Sequence, residues 1–388
     1  MEITSVSAIP VTVPLTLIED GGIAPYRTNH GELYEMDRIL VHVDTDEEYV
    51  GWGEVRPFLS PKATVSVIED GVGPLIVGQT PFEIERLRRQ VFVEYTNPKM
   101  FVAPVETACW DIIGKALDRP VYELLGGWTA DHPTAMTHRD HVGQEGESNL
   151  VEVAYALGIF SPEESRRYAQ RALDEGYDVL KTKAGRDWRT DVARIRAMHD
   201  EVDDQLEFRI DPNQGWTVED AVRVGAQLED AGIYLQYMEQ PIPINNHGSL
   251  QSLRSRTRQP VAANEDTYVP QNLRRMLADD AIDVGVVDIT PSGGITGIRD
   301  LAAAAEDAGI SLAHHCAFDL GIRTAAVLHA AYGLPGINLP SDTAYFGWEA
   351  DVIESPFEII DGCIEVPQGP GLGITVDETT VEKYRESL

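Results

Sequence analysis

The sequence predicts an α/β protein of two parts, an α+β domain followed by a closed barrel of parallel strands. The chain has 388 residues, enough for a barrel of about 250 residues and a smaller partner. After about residue 130, short apolar strands alternate with amphipathic helices, which is typical of a parallel sheet. Polar side chains also follow successive strands at regular intervals, as they do around the mouth of a barrel.

The first third of the chain has the pattern of an α+β domain. Apolar alternation and helical spacing predict strands at 1–13, 38–43 and 49–55, and helices at about 61–75, 81–93 and 102–117. The segment 19–35 is rich in Gly, Pro and polar residues and is predicted to be a long loop. Loops of that length are uncommon unless they act as lids or binding elements.

The remainder of the chain repeats a strand and a helix. The predicted strands include 179–181, 208–210, 235–238, 260–262, 284–287 and 311–313, with helices such as 163–175 and 296–308 between them. A residue suited to chemistry ends each strand, in the order Lys183, Asp211, Glu239, Asn264, Asp288, His315 and Asp342. The carboxyl ends of barrel strands meet at one mouth, so we expect these residues to share one pocket.

Composition excludes several classes of function. The 64 acidic and 31 basic residues give a net charge of −33, which argues against a nucleic-acid partner. The acid is spread along the chain and lysine is scarce, which predicts adaptation to high salt, as in a haloarchaeal cytosol. Three scattered cysteines favour neither a disulfide framework nor a cysteine zinc site. No signal peptide or membrane span is recognisable, so we expect a cytoplasmic protein without a membrane partner.

Asp211 and Glu239 predict a site for a hard cation. Magnesium prefers oxygen ligands, whereas no histidine or cysteine lies at zinc-ligand spacing from this pair. A third oxygen ligand is available in Asn264, Glu265 or Asp266, and spacing alone leaves this choice open.

Two further pairs are candidate acid–base groups. Lys181 and Lys183 lie on the same face of a strand end, where mutual repulsion is expected to lower the pKa of at least one ammonium group. Asp288 and His315 follow neighbouring strands, so the carboxylate could fix the imidazole tautomer and raise its basicity. His314 should point the opposite way, into the core or behind the site.

Several motifs together resemble the mandelate racemase branch of the enolase superfamily. Besides the Lys-Thr-Lys pair and the Asp288/His315 dyad, they are 108–115, 124–127, Asp211-Pro212-Asn213, Glu239-Gln240-Pro241 and 292–296. The resemblance implies a modified TIM barrel of the (β/α)7β type with an α+β amino-terminal capping domain. It implies a capping domain at 1–128, a barrel at 129–360 and a carboxyl-terminal segment, 361–388, that returns to the capping domain.

The carboxyl-terminal third is most similar to glucarate dehydratases and related acid-sugar dehydratases. The similar motifs are His315, Phe318-Asp319, Ser341-Asp342-Thr343 and 366–373. Glucarate dehydratases use an asparagine as third ligand, which favours Asn264, whereas other members use a glutamate that would fall on Glu265. The resemblance implies a Mg²⁺ enzyme, with Mn²⁺ as a possible substitute, that dehydrates an acid sugar to a 2-keto-3-deoxy acid.

The resemblance also assigns expected roles. Lys183 or His315 removes the proton alpha to the carboxylate, Lys181 adds positive charge, and His315 paired with Asp288 protonates the departing hydroxyl. A racemase or epimerase using the same bases is the alternative. The residues expected to bind the small-molecule substrate are Asn213, Asp342, Arg56, His138 and Arg139, the last two at the end of the first barrel strand. Family members are often dimers or octamers, so a homo-oligomer is expected.

Overall fold

The structure, a computed structural model, describes residues 1–127 and 149–387. The amino-terminal domain contains strands β1 (Ile3–Pro14), β2 (Tyr26–Arg27), β3 (Glu32–Leu33), β4 (Glu35–Thr45) and β5 (Val50–Val55). Its helices are α1 (Pro61–Ser66), α2 (Gly73–Ile76), α3 (Ile84–Glu94), α4 (Lys99–Leu117) and α5 (Val121–Leu124), with a π-helical turn at Val67–Val72. Strands β1, β4 and β5 form an antiparallel sheet in that order, and β2 and β3 form a separate hairpin.

The long helix α4 packs directly on strand β5. Gly51 and Gly53 of the strand make this close approach possible, because a Cβ at either position would collide with a backbone carbonyl of α4. The carbonyls concerned belong to Ala108 and Pro104. The two glycines therefore bring helix and sheet into contact, and the apolar face of the helix completes the core of this domain.

Within the described residues, eight parallel strands form the second domain. They are β6 (Leu150–Leu157), β7 (Val179–Lys183), β8 (Glu207–Asp211), β9 (Tyr237–Glu239), β10 (Val261–Ala263), β11 (Val284–Val287), β12 (Ser311–His314) and β13 (Ser341–Thr343). Strands β6 to β12 pair in sequence order, and β13 pairs with β6. Leu312 of β12 bridges to Ile337, on the chain that leads into β13, so the ring closes.

Helices connect each barrel strand to the next. They are α6 (Pro162–Asp174), α7 (Trp188–Val202), α8 (Val218–Glu229), α9 (His247–Arg254), α10 (Pro270–Ala278), α11 (Ile289–Ser292), α12 (Ile295–Ala308) and α13 (Gly321–Gly333). Both α11 and α12 lie between β11 and β12, so seven connections link eight strands. The predicted (β/α)7β barrel with an α+β amino-terminal domain is confirmed. The exact domain boundaries stay a prediction.

The carboxyl-terminal segment contacts both domains. Strands β14 (Ile359–Ile360) and β15 (Cys363–Glu365) form a hairpin, and β15 pairs antiparallel with β6. Helix α14 (Glu378–Tyr384) then packs on β1, and the N–H of Glu386 donates to the carbonyl of Pro10 over 2.9 Å. In the two described stretches of chain, no helix combines the length and apolar character needed to cross a bilayer.

Two predictions need correction, one in the amino-terminal domain and one at the start of the barrel. The segment 19–35 is not a simple loop, because it contains the β2–β3 hairpin. The barrel strand that pairs with β7 is β6, so the first described barrel strand does not end at His138-Arg139. Those two residues lie outside the described part of the chain.

Candidate active site

The carboxyl ends of strands β7, β8, β9 and β13 bring two lysines and three carboxylates together. The Nζ atom of Lys181 lies 2.6 Å from an oxygen of Asp342, 2.7 Å from Oε1 of Glu239 and 3.5 Å from Oδ2 of Asp211. Lys183 Nζ lies 2.5 Å from the same Asp211 oxygen. All five side chains are largely or wholly buried. The expected convergence of strand ends into one pocket is therefore found for these five residues.

Asp288 and His315 form a second cluster at the ends of β11 and β12. The imidazole Nδ1 of His315 lies 3.0 Å from Oδ2 of Asp288, while Oδ1 accepts hydrogen bonds from the N–H of Thr290 and from Arg323. Burial alone would raise the pKa of Asp288, but the charge of Arg323 and the bond from His315 hold it well below its usual range. Because the carboxylate is ionised, Nδ1 of His315 carries the shared proton and the other ring nitrogen is the one left for chemistry.

Tyr268 lies between Asn264 and the His315 side of the mouth. Its hydroxyl donates to Oδ1 of Asn264 over 3.2 Å, and its ring centroid lies 6.4 Å from that of His315. Burial raises the pKa of this phenol well above its ordinary value, so it stays a neutral hydrogen-bond donor. The charges of Asp288, Glu239 and Lys181 all act on this phenol, so the lysine cluster and the dyad belong to one barrel mouth.

The acidic residues at this mouth have the chemistry of a cation site. Oε2 of Glu239 and Oε2 of Glu265 are buried, and neither oxygen has a hydrogen-bond partner within the described chain. Burial and the nearby charge of Asp211 raise the pKa of Glu239 well above its usual range, which is the expected result when a buried carboxylate lacks a sufficient countercharge. Unpartnered carboxylate oxygens are the donors that Mg²⁺ prefers, so the residues present fit the metal.

Asn264 and Glu265, the two candidates that the family resemblance favours as third ligand, differ in the hydrogen bonds of their side chains. The Asn264 amide is held at both ends, since Nδ2 donates to the carbonyl of Val286 over 3.1 Å and Oδ1 accepts from Tyr268. The Glu265 carboxylate instead accepts from Gln214 over 3.0 Å through one oxygen. Its second oxygen is the unpartnered one. The geometry therefore makes Glu265 the freer donor.

Asn213 joins that carboxylate to Asp211. Its backbone N–H donates to Oδ1 of Asp211 over 2.9 Å, and its side-chain amide lies 3.4 Å from Oε1 of Glu265. Left-handed φ angles of 44° at Asn213 and 66° at Gln214 turn the chain sharply enough for both contacts. Asn213 was expected to bind substrate, and in this structure its contacts are with the acidic residues. Its role toward substrate stays a prediction.

The prediction that repulsion lowers a lysine pKa is wrong for the protein without a bound cation. Burial would lower the pKa of both ammonium groups, but the neighbouring carboxylates outweigh it. Asp342 and Glu239 raise the pKa of Lys181, and Asp211 raises that of Lys183. Sequence spacing correctly placed the two lysines side by side, yet it could not show how many carboxylates would meet each of them.

The remaining predicted residues are either hydrogen-bonded within the protein or exposed to solvent. Asp342 accepts from Lys181 and, over 2.9 Å, from Arg209, so both of its oxygens already have protein partners. Arg56 follows the last residue of β5 and is exposed. His314 is fully buried as expected, and its Nε2 accepts from the N–H of Ile289, while burial lowers its pKa to about 4. Substrate binding by Arg56 and Asp342 stays a prediction.

Sequence reasoning missed three residues at the mouth. Arg209 is buried two positions before Asp211 on β8, so the two-residue alternation of a strand could have identified it. Tyr268 and Tyr26 carried no comparable signal. Tyr26 lies on the β2–β3 hairpin, with burial raising its pKa to about 12 and the charge of Lys183 opposing that rise. The hairpin is anchored to the barrel by Asn29, whose Nδ2 donates to the carbonyl of Pro212 over 2.9 Å.

Comparison with known families gives a match in each of the two domains. Residues 164–380 match the family described as enolase C-terminal domain-like. Residues 13–126 match the family described as mandelate racemase / muconate lactonizing enzyme, N-terminal domain. The chain therefore belongs to the enolase superfamily, in the group of mandelate racemase and muconate lactonizing enzyme. Members of this superfamily bind Mg²⁺.

Its relatives include both epimerases and dehydratases. The L-Ala-D/L-Glu epimerase of Bacillus subtilis is 27% identical over 96% of this chain and 97% of its own length. The D-xylonate dehydratase of Haloferax volcanii is 26% identical over 98% and 93%, respectively. A crystal structure of a dipeptide epimerase from Enterococcus faecalis, complexed with Mg and L-Leu-L-Tyr, superposes with a TM-score of 0.84 at 25% identity, covering 97% of this chain and 100% of that one. The similarity thus establishes the superfamily but does not distinguish epimerisation from dehydration.

Proposed function

We propose that this protein is a Mg²⁺-dependent acid-sugar dehydratase, acting on an aldonic or aldaric acid. The observation that carries the proposal is the pairing of two different acid–base groups around one acidic cluster. Lys183 stands at the end of β7 beside Asp211, and His315 stands at the end of β12, held by an ionised Asp288. The relation to a D-xylonate dehydratase and the motifs of the carboxyl-terminal third support the same reaction.

In this proposal Asp211, Glu239 and Glu265 hold the metal. Bound Mg²⁺ supplies Lewis-acid stabilisation of negative charge on the substrate carboxylate, and Mn²⁺ could replace it. When Asp211 serves as a ligand it no longer neutralises Lys183, and the burial of Lys183 then lowers the pKa of its ammonium group toward that of a base. Lys181 stays paired with Asp342 and contributes positive charge beside the carboxylate.

Two proton movements complete the dehydration. Lys183 removes the proton from the carbon alpha to the carboxylate. His315, protonated on both ring nitrogens and paired with Asp288, gives its free proton to the beta hydroxyl, which leaves as water. The resulting enol takes up a proton at the beta carbon and releases one from its hydroxyl group to become the 2-keto-3-deoxy acid, so the overall change is the loss of one water molecule.

A racemase or epimerase is the second candidate. Strands β7 and β12 are separated around the ring by β6 and β13 on the shorter side, so Lys183 and His315 approach the mouth from different directions. Two bases on opposite faces of a carbon could remove and return one proton without eliminating anything. The relation to the Bacillus subtilis epimerase favours this reading, and the structure of the substrate decides between the two reactions.

The proposed setting is a cytoplasm of high salt, with the protein as a homo-oligomer, either a dimer or an octamer. The acid-rich, lysine-poor composition supports the salt adaptation. In roughly molar salt the screening length falls to about 3 Å, so the net negative charge would hardly repel an anionic substrate.

The test is a screen of purified protein against a library of aldonic and aldaric acids, with Mg²⁺ in high salt. A carbonyl-specific reagent detects the 2-keto-3-deoxy product, and a Lys183→Met protein run in parallel shows that product formation depends on the site. A substrate that yields product only with the unaltered protein supports dehydration. If no acid yields product but the alpha hydrogen of one exchanges with deuterium from heavy water, the racemase is supported and the dehydratase is refuted.

A further inference from the structure

A row of alternating charges leads from the catalytic dyad into the capping domain. We call Asp288, Arg323, Asp319, Arg38 and Glu54 the buried charge row. Their side chains are between 0% and 6% exposed, although they come from the barrel, from the chain before and within α13, and from strands β4 and β5. Charged groups are seldom buried to this extent unless each is paired, so the row forms a single electrostatic unit.

Each neighbouring pair in the row is in contact. Arg323 places one nitrogen 2.5 Å from Oδ1 of Asp288 and donates a second hydrogen bond to Asp319. Arg38 reaches the same Asp319 oxygen over 3.1 Å and bonds Glu54 over 2.7 Å. The guanidinium groups are planar and their donors point in fixed directions, so each arginine transmits the position of one carboxylate to the next.

The capping domain also fixes the helix that carries the arginine. Glu54 of β5 accepts the backbone N–H of Leu320 through one oxygen and that of Arg323 through the other, each over 2.9 Å. Arg38 of β4 donates to the carbonyl of Ala317 over 2.9 Å. The beginning of α13, and with it the arginine that holds Asp288, is therefore positioned by two strands of the other domain.

The net charge of the buried charge row is opposite to that of a protonated imidazole. Three carboxylates and two guanidinium groups leave the row with one net negative charge. The proton shared by His315 and Asp288 lies at one end of this negatively charged row. An imidazole protonated on both nitrogens would bring the net charge of the row and the ring to zero. Arg323 keeps Asp288 ionised, so the row presents a negatively charged acceptor to the imidazole.

From this arrangement we propose that Arg323, together with the Arg38–Glu54 pair of the capping domain, positions the His315–Asp288 dyad. Proton transfer on the His315 side of the substrate then depends, through this row, on the docked capping domain. The inference rests on the proposed function for the identity of the two bases. The contacts that carry it are independent of which acid is the substrate.

The first experiment needs no substrate. The full-length protein is labelled with ¹⁵N-histidine, and the His315 Nδ1 proton is assigned by its loss in a His315→Asn protein. A proton held between imidazole and carboxylate is protected from solvent exchange, so the unaltered protein should show it. We expect Asp288→Asn and Arg323→Met to abolish the signal and Arg323→Lys to restore part of it. Arg194→Met, which removes another fully buried arginine outside the row, should leave it unchanged.

A second variant guards against a general loss of structure. Glu54→Gln keeps the size of the side chain but removes its charge, and circular dichroism shows whether the protein is folded. We expect folded Glu54→Gln to weaken the His315 signal and to speed its exchange with solvent. If folded Arg323→Met and Glu54→Gln proteins both retain the signal of the unaltered protein, the row is only structural and the proposal is overturned.

Activity provides the link to catalysis once a substrate is known. For Arg323→Met we expect kcat to fall about 10- to 100-fold, the scale for partners that orient a functional histidine, with KM within about twofold. Arg323→Lys should recover part of kcat. Equal losses from Arg223→Met, at an exposed arginine outside the row, would contradict a positioning role. If the acid library gives no product but the His315 signal responds as expected, the proposed function fails and the positioning of the dyad stands.

Discussion

Gln214 donates a 3.0 Å hydrogen bond to Oε1 of Glu265, while the second oxygen of that carboxylate is unpartnered in the part of the chain that the structure describes. A free, buried carboxylate oxygen is a better metal donor than an amide already bonded at both ends. We therefore expect Glu265→Gln to weaken Mg²⁺ binding about 10- to 100-fold by isothermal titration. Asn264→Ala should change it much less. The reverse ranking would assign the third ligand to Asn264.

Mutations of Lys183 and of His315 are predicted to lower activity alike but to differ in their effect on alpha-hydrogen exchange. Replacing Lys183 by Met or His315 by Asn removes one acid–base group, which should lower kcat/KM by about 100- to 10,000-fold. The exposed Lys62 provides a matched control, and Lys62→Met should leave the rate unchanged. Deuterium exchange at the alpha carbon distinguishes the two roles. Under dehydration with Lys183 as base, His315→Asn should still exchange that hydrogen, and Lys183→Met should not.

Asp351 predicts a specific dependence of stability on pH. Burial raises its pKa to about 6, whereas the usual value is 3.8. A raised folded-state pKa means that the protonated carboxyl is favoured by folding, so its contribution is complete below pH 3.8 and is lost as pH rises through about 6. A difference of roughly two units corresponds to about 3 kcal/mol.

The matched variant for that prediction is Asp351→Asn, which mimics the protonated acid. Its amide can keep the acceptor for the N–H groups of Gly321 and Val352 and can donate to Tyr345. Urea unfolding at several pH values should show that the unaltered protein loses stability relative to this variant between about pH 4 and pH 7. Parallel curves over that range would mean that Asp351 is ionised in the folded protein at every pH tested.

Glu106 should be important for stability although it is remote from the chemistry. It accepts the backbone N–H groups of Ile295 and Thr296, over 2.8 and 2.9 Å, at the start of α12. Glu106→Gln would turn an amide toward one of these buried donors, which should cost about 1–3 kcal/mol of unfolding free energy. The control is Glu123→Gln, at a partly exposed side chain, with an expected change within about 0.5 kcal/mol. Equal denaturation midpoints for the two variants would be inconsistent with this contact.

Salt should stabilise the protein. With 64 acidic against 31 basic residues, the folded state repels itself at low ionic strength. Raising KCl from about 0.1 M to about 1 M shortens the screening length from about 10 Å to about 3 Å, so the thermal midpoint should rise. Calorimetry at matched pH measures this. A midpoint that is constant or falls with salt would contradict the proposed adaptation.

The barrel was predictable because local signals and topology agree. Each of β7, β8 and β11 is a short apolar segment followed by a functional side chain, and parallel pairing in sequence order brings such strand ends together. The observed helices α6 and α12 begin one residue before the predicted 163–175 and 296–308. Strand and helix periodicity therefore located both the elements and the residues at the mouth.

Other features depend on contacts between distant parts of the chain. Tyr26 reaches the mouth only because the β2–β3 hairpin docks on the barrel, and no local pattern marks that docking. The pKa of Lys183 depends on how many carboxylates surround it in space. Arg38 and Arg323 are 285 positions apart in the sequence, yet they share Asp319. Spacing can show that such residues are unusual, but it cannot pair them.

The return of α14 to β1 has a consequence for engineering. The chain forms the amino-terminal sheet, then the barrel, and then comes back so that Glu386 bonds to Pro10. The barrel is therefore an insertion between two stretches that pack on each other. A chimaeric protein that exchanges the capping domain with a relative needs two junctions, one on either side of the barrel. A single crossover near residue 128 would leave α14 against a foreign strand.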